Sequence, residues 1–270
     1  MSNAAPALAD QEFQQFKTWL YRTAGINLTD AKKALVAGRL FKRLKHHDLD
    51  SYGDYFRLIM RDTEGSELQC ALDLLTTNET YFYREPNHFK FLEEKVFPHA
   101  TRNTVFRVWS AACSSGEEPY TLAMVLATSF PNNNWEIVGS DISTQMLEKS
   151  KAGHYPLSRT AGIPKAALQK YCLKGTGRQE GTLLIDPTLR SRVDFRSVNL
   201  IERIPNVGQF DVIFLRNVMI YFDMDTKIKV VRNLLPYLKS GGYFFVSHSE
   251  SLNGVTSALK LVSPSIYQKP

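Results

Sequence analysis

The periodicity of this chain changes at Thr104, and that change limits what it can fold into. Before it, apolar residues recur at helical spacing: Phe13, Phe16, Trp19 and Leu20, then Tyr52, Tyr55, Phe56 and Ile59. Residues 11 to about 75 therefore read as helices, with no strand signal of any strength. After Thr104, short apolar runs alternate with helical stretches, the pattern of a parallel sheet with crossover helices. A domain change is expected within residues 76–92, separating a helical domain, 1–75, from an α/β domain, 93–270. With 270 residues the chain has room for both.

Strands are expected at Val105 to Ser110, Trp135 to Ser140, Arg192 to Phe195, Phe210 to Leu215, Tyr243 to Ser247 and Leu259 to Tyr267. Helices follow at Glu117 to Ser129, around Met146 and Leu147, and from about Asp225 to Leu238. The Gly- and Lys-rich stretch Gly175 to Gly181 suggests a small hairpin. This order is that of an open, doubly wound nucleotide-binding sheet.

Composition narrows the function. Hydrophobic residues make up 43% and charged residues 22%, enough for a packed core and far from a disordered chain. The best membrane candidate, Phe210 to Phe222, is interrupted by Asp211 and Arg216, and the start MSNAAPALADQEFQQ lacks a basic segment followed by an apolar one. The expectation is a cytoplasmic protein with no membrane insertion. Cys70, Cys113 and Cys172 are scattered, with no C-x-x-C pair, so neither a disulfide framework nor a zinc site is expected. A net charge of +6 points to an acidic partner: nucleic acid, anionic membrane or acidic protein.

Ligands of such sheets bind beyond the carboxyl ends of the central strands. There the turn Ala111-Ala112-Cys113-Ser114-Ser115-Gly116 consists of small residues, which suits either a tight turn or a loop that admits a ligand to the backbone and the next helix N-terminus. Asp141 ends the second strand, where an acid accepts hydrogen bonds from ribose hydroxyls; the other reading is a helix N-cap. These residues imply an adenosine-type cofactor, with nicotinamide nucleotides and S-adenosylmethionine both open.

Four segments then narrow the choice: Thr77 to Glu85 (TNETYFYRE), Ala111 to Tyr120 (AACSSGEEPY), Ser140-Asp141-Ile142, and Arg216 to Phe222 (RNVMIYF). In this order they resemble the CheR family of chemotaxis-receptor glutamate methyltransferases, and Gly25 to Leu28 and His248-Ser249-Glu250 extend the resemblance over nearly the whole chain. It implies an all-α N-terminal domain, then a Rossmann-like class I S-adenosylmethionine-dependent methyltransferase domain with a β-subdomain at about 170–195. It also implies a linker, 76–92, that contributes to the cofactor site. By the same resemblance Asn78, Thr80, Arg84, Glu117, Asp141, Asn199, Leu200, Arg216 and Asn217 contact the cofactor or its product S-adenosylhomocysteine, and no metal is used. Arg84 and Tyr221 are the expected holders of the substrate carboxylate.

A glutamate with its pKa near 4.3 is ionised at neutral pH, so methyl transfer to it needs no general base. Between Ala31 and His47 lie six Lys or Arg residues and no acid. With Ala34, Ala37, Phe41 and Leu44 facing inward, Lys32, Arg39, Arg43 and Lys45 are expected to dock a receptor's acidic helical bundle. The hairpin's edge could accept an added strand, and the resemblance of this segment to the β-subdomain loop of family members implies a receptor C-terminal pentapeptide as a further partner there. A nucleic-acid methyltransferase would also suit the positive charge, but Leu215-Arg216-Asn217-Val218 is not a base-stacking Asp-Pro-Pro-Tyr segment. No nucleic acid partner is expected, and the protein is read as a monomer.

Overall fold

The computed structural model describes residues 6–101, 104–131 and 134–270. It divides into two compact units: one runs to Thr77 and includes Tyr221–Thr226, and the other comprises Asn78–Ile220 and Lys227–Pro270.

The first unit contains α1 (Asp10–Ala24), α2 (Lys33–His46), α3 (Tyr52–Arg61) and α4 (Ser66–Leu75). Helix α1 stops at Gly25, whose φ of 72° and N–H bond to the Tyr21 carbonyl form a left-handed cap. The expected apolar stripes are buried: Phe13, Phe16, Trp19 and Leu20 from α1, and Tyr52, Tyr55 and Ile59 from α3. Helix α2 is rotated from its expected orientation. Val36, Leu40 and Leu44 form its buried stripe, whereas Ala34 is exposed and Ala37 and Phe41 are half-buried. A stripe of larger aliphatic side chains buries more apolar area than one built on alanines.

Glu67 of α4 fastens α2 to its neighbours. Its carboxylate accepts from Arg43 Nε at 2.7 Å and Nη2 at 2.5 Å and from the Tyr55 hydroxyl at 2.7 Å, and it lies 3.2 Å from His47 Nε2.

The second unit holds a seven-stranded sheet. Its strands are β1 (Phe106–Ala111), β2 (Trp135–Asp141), β6 (Val193–Ser197), β7 (Phe210–Phe214), β8 (Leu238–Phe245), β9 (Lys260–Ser263) and β10 (Ile266–Gln268). Their order is β6-β2-β1-β7-β8-β10-β9. The first five run parallel to their neighbours, and β10 is antiparallel to both β8 and β9. The order reverses between β1 and β7, so a crevice opens beyond their carboxyl ends. Helices α5 (Asn87–Phe91), α6 (Glu117–Ser129), α7 (Thr144–Ala152) and α10 (Met224–Leu234) belong with this sheet in the chain. Phe214 and Phe245, on adjacent strands, stack with centroids 4.4 Å apart, and Phe89 of α5 stacks on Phe214.

Three expectations change. The expected strand Leu259 to Tyr267 is broken by Pro264 and by Ser265, whose φ is +61°, giving β9 and β10. The last parallel strand starts earlier, at Leu238. The small sheet is not confined to 170–195: β4 (Cys172–Lys174) and β5 (Thr182–Ile185) form the expected hairpin, but β3 (His154–Pro156) also pairs with β5. Val193–Ser197 instead belongs to the large sheet, because its register with β2 is set by the buried Ile137 and Val193. Helices α8 (Lys165–Tyr171) and α9 (Pro187–Arg190) flank the hairpin.

Burial raises the Glu67 carboxyl, but the hydrogen bonds from Arg43, Tyr55 and His47 outweigh it and hold the group at about 2 instead of 4.5. A folded pKa below the unfolded one stabilises the native state above pH 4.5, and this stability is lost as pH falls toward 2. Glu67→Gln should therefore cost roughly 2–3 kcal/mol at pH 7 and flatten the acid limb of stability between pH 4.5 and 2. Urea denaturation across that range measures both.

Candidate active site

The carboxyl end of β1 leads into a turn with left-handed backbone at alternate positions: Ala112 (φ 73°), Ser114 (φ 49°) and Gly116 (φ 95°). Such alternation turns successive N–H groups toward one side, a concavity suited to an anion or a polar ligand. The Ala112 and Cys113 N–H groups are both held by the Ser140 carbonyl at 2.8 Å. The Ser114 N–H donates to Asp141 Oδ2 at 2.8 Å, and Asp141 Oδ1 accepts from Ser143 N–H at 2.9 Å. The N-cap reading of Asp141 is thereby corrected: Ser143 caps α7, accepting from the Met146 N–H, while Asp141 joins the ends of β1 and β2.

The linker enters this cluster. Ser114 Oγ donates to the Asn78 carbonyl at 2.8 Å. Arg159 Nη2 donates to the Thr80 carbonyl at 2.7 Å and lies 2.9 Å from Glu117 Oε1, tying linker to helix α6. Glu117 is fully buried at the first turn of α6. Its Oε2 accepts from Ser115 Oγ at 2.6 Å, and Oε1 has no well-aligned hydrogen-bond donor among the described residues. Burial pushes this carboxyl up, against the pull of Ser115 and Arg159. Asn199 and Leu200 follow β6, next to Asp141, whose carbonyl receives the Val198 N–H at 3.1 Å. Asn199 Oδ1 accepts from Ile201 N–H at 3.3 Å, and Leu200 is buried.

The predicted residues Asn78, Thr80, Glu117, Asp141, Asn199 and Leu200 are thus gathered around the ends of β1, β2 and β6. Arg216 reaches the same end of the sheet from the end of β7. Its side chain is 2% exposed and is drawn into an internal network: Nη1 donates to Glu118 Oε2 at 2.9 Å, and Nη2 donates to the Arg84 carbonyl at 2.6 Å and lies 3.3 Å from Glu85 Oε2. A guanidinium buried this deeply requires such partners, and Arg216 pins these segments together, while its Nε has no hydrogen-bond partner among the described residues. Glu118 also accepts from Ser110 Oγ at 2.7 Å, and burial raises its carboxyl even so. Asn217 follows with φ +57°, its N–H bonded to Glu250 Oε2, which also takes the Ser247 N–H. Arg84 is half-buried, with Nη1 on the Glu79 carbonyl at 3.0 Å and its guanidinium over the Tyr81 ring. Tyr221 ends a short 3-10 helix, Met219–Tyr221, and groups with the helical unit, where its carbonyl accepts from Asn27 N–H at 2.8 Å.

Two of the four docking candidates make contacts within the helical unit. Arg43 is taken by Glu67, and Arg39 donates to the carbonyls of Leu75 and Thr76 at 3.0 and 2.9 Å and to Thr77 Oγ1 at 3.2 Å, capping the end of α4. Lys32 and Lys45 remain exposed. Sequence reasoning missed Arg159, Glu118, Glu85 and Glu250; of these Glu85, Glu118 and Glu250 stood inside recognised motifs and Arg159 did not.

The donor set fits an adenosyl sulfonium cofactor. Asp141 offers a carboxylate at the ribose position, and the buried Glu117 Oε1 offers an acceptor for an ammonium or hydroxyl. A seven-stranded sheet with this order and one reversed strand, β10, is the Rossmann-like fold of class I S-adenosylmethionine-dependent methyltransferases.

The family match agrees. Residues 78–267 match the CheR methyltransferase SAM binding domain, and residues 11–76 match the CheR methyltransferase all-alpha domain. The chain belongs to the CheR methyltransferase family. The chemotaxis protein methyltransferase of Salmonella typhimurium is 40% identical over 265 residues, covering 97% of this chain and 91% of that protein. That of Escherichia coli is 38% identical over the same length and shares of each chain. Chemotaxis protein methyltransferase 2 of Pseudomonas aeruginosa is 37% identical over 276 residues, covering 98% of both chains.

A Cβ at Gly116 would fall 2.6 Å from Ser150 Cβ and 2.9 Å from the Tyr155 hydroxyl, at a φ that side chains rarely adopt. Gly116→Ala should therefore cost about 2–4 kcal/mol. Thermal denaturation should show a clear drop in Tm, and calorimetry should show weaker S-adenosylmethionine binding by the protein that stays folded.

Proposed function

We propose that the chain transfers the methyl group of S-adenosylmethionine to glutamate side chains of chemotaxis receptors, forming methyl esters. The observation that carries this reading is the cluster in which Asn78, Thr80, Glu117 and Asp141 meet around the turn after β1, within a chain of the CheR family.

The bound cofactor supplies an electrophilic methyl on a sulfonium. Asp141 would hold the ribose and Glu117 the polar end of the methionine portion. A receptor carboxylate, already ionised, would accept the methyl with no proton to give up, leaving the cofactor as a neutral thioether held by the same residues. With no proton to move, the chain's contribution is alignment and exclusion of water, and alignment alone is worth roughly 7–11 kcal/mol. Arg84 is assigned to the carboxylate, since its fork of donors matches two oxygens.

Lys32 and Lys45 on the helical unit are assigned to the acidic receptor bundle, without Arg39 and Arg43. The edge strand β4, where Leu173 is half exposed, is assigned to a receptor C-terminal peptide, which would raise the local concentration of enzyme around its substrate. Working on cytoplasmic receptor segments, the protein is assigned to the cytoplasm as a monomer.

Incubation with radiolabelled S-adenosylmethionine and receptor fragments should label the fragments, and mild alkali should release the label as methanol. Arg84→Ala should lower kcat/KM by about 100-fold or more, the loss expected when a charge-assisted pair to the reacting group is removed. An alkali-stable product, or label on RNA in place of receptor, overturns the assignment.

A further inference from the structure

Strands β7 and β8 run parallel, so their carboxyl ends lie side by side on the ligand face of the sheet. One carboxylate joins them. Glu250 Oε2 accepts the N–H of Asn217, which follows β7, and the N–H of Ser247, which follows β8, both at 2.9 Å. Asn217 is held there at φ +57°, a conformation that persists only where such partners fix it. Two donors on one oxygen suit a carboxylate, yet the other oxygen, Oε1, is buried with no hydrogen-bond partner among the described residues.

The neighbouring acids are answered by cations. Glu118 faces Arg216 at 2.9 Å and Glu85 faces it at 3.3 Å, while Glu117 faces Arg159 at 2.9 Å. Glu250 makes no ion pair among the described residues. A carboxylate oxygen buried with neither donor nor cation is costly, and a cationic ligand entering the low-dielectric space beside it offsets that cost.

We infer that Glu250 is a specificity-determining residue of the cofactor site, whose unanswered negative charge favours the positively charged sulfonium cofactor over the neutral thioether product. This rests on the reading above, in which S-adenosylmethionine binds at this end of the sheet. Because Oε1 is shut off from solvent, Glu250 acts through its field and not by touching the ligand. When a receptor carboxylate takes the methyl, sulfonium and carboxylate lose their opposite charges together, and the attraction from Glu250 ends. Glu250 thus holds the cofactor before transfer and lets the product go after it, with no movement of the chain required.

Titration calorimetry with S-adenosylmethionine and S-adenosylhomocysteine tests this without turnover. Glu250→Gln keeps an acceptor oxygen for Asn217 and Ser247 and removes the charge. It should weaken S-adenosylmethionine binding roughly 10-fold, the order of one charge pair within a protein interior, and change S-adenosylhomocysteine binding by less than about 2-fold. A merely structural Glu250 would move both ligands equally, so an equal change, or none, overturns the inference. If circular dichroism shows that Glu250→Gln does not fold, Glu250→Asp decides. Its shorter side chain draws the charge back, so the preference for S-adenosylmethionine over S-adenosylhomocysteine should fall about 3-fold, and an unchanged preference overturns the inference. A wild type that binds neither compound overturns the cofactor reading, and the inference with it.

Discussion

The buried guanidinium of Arg216 is the interaction on which the ligand end of the sheet depends. It leaves the end of β7 and meets Glu118 on α6, the Arg84 carbonyl in the linker and Glu85 beside α5. Removing one partner would leave a buried charge uncompensated, which is costly, so the four segments are held as one assembly. Burial raises Glu118 despite Arg216, the mark of a group whose solvation has been replaced by fixed partners. The linker lacks regular structure from Thr76 to Pro86, and such pins give it a defined path.

Strain collects at the same end. Among the described residues, seven non-glycine residues have positive φ, and five of them, namely Tyr83, Glu85, Ala112, Ser114 and Asn217, lie in the linker or just after β1 and β7. Each such conformation costs about 1–3 kcal/mol and persists only where the surroundings over-determine it. Here the surroundings are visible: Ser140 and Asp141 hold the turn after β1, and Glu250 holds Asn217 through its N–H. The N–H groups of the strained residues Tyr83, Ala112, Ser114 and Asn217 are themselves tied to Thr121, Ser140, Asp141 and Glu250.

The parts of this arrangement legible in the sequence are those written locally. The run Phe106 to Ala111, the small-residue turn and the helix from Glu117 follow one another, and Asp141 stands at the end of the next strand, so each could be placed from its neighbours. What depends on distant partners could not. Arg39 and Arg43 read as part of a docking face because the helix carries no acid, and nothing local shows that Glu67 lies 24 residues beyond Arg43 or that the carbonyls held by Arg39 lie at the end of α4. Arg159 ends a single 3-10 turn, Leu157–Arg159, with nothing in the local sequence to mark that it joins Thr80 to Glu117. The rotation of α2 has a similar cause: alanines satisfy the periodicity, but Val36 and Leu40 fill the space between helices.

Charge balance links the buried network around Arg216 to the proposed chemistry. A class I site that holds a sulfonium gains from nearby carboxylates, and Asp141, Glu117 and Glu118 supply them. An incoming substrate carboxylate meets the opposite problem, since those acids repel it at short range in a site of low dielectric. Arg216 answers the charge of Glu118 and Glu85, and Arg159 that of Glu117, so both guanidiniums are already committed within the scaffold. On the proposed reading the attraction for substrate must come from a cation less deeply engaged. Arg84 has that character: its carbonyl is fixed by Arg216, while its guanidinium makes one hydrogen bond to its own linker and rests over Tyr81. The backbone of Arg84 is thus anchored by the same pin that neutralises the acids behind it, which couples the position of the substrate cation to the integrity of the buried network.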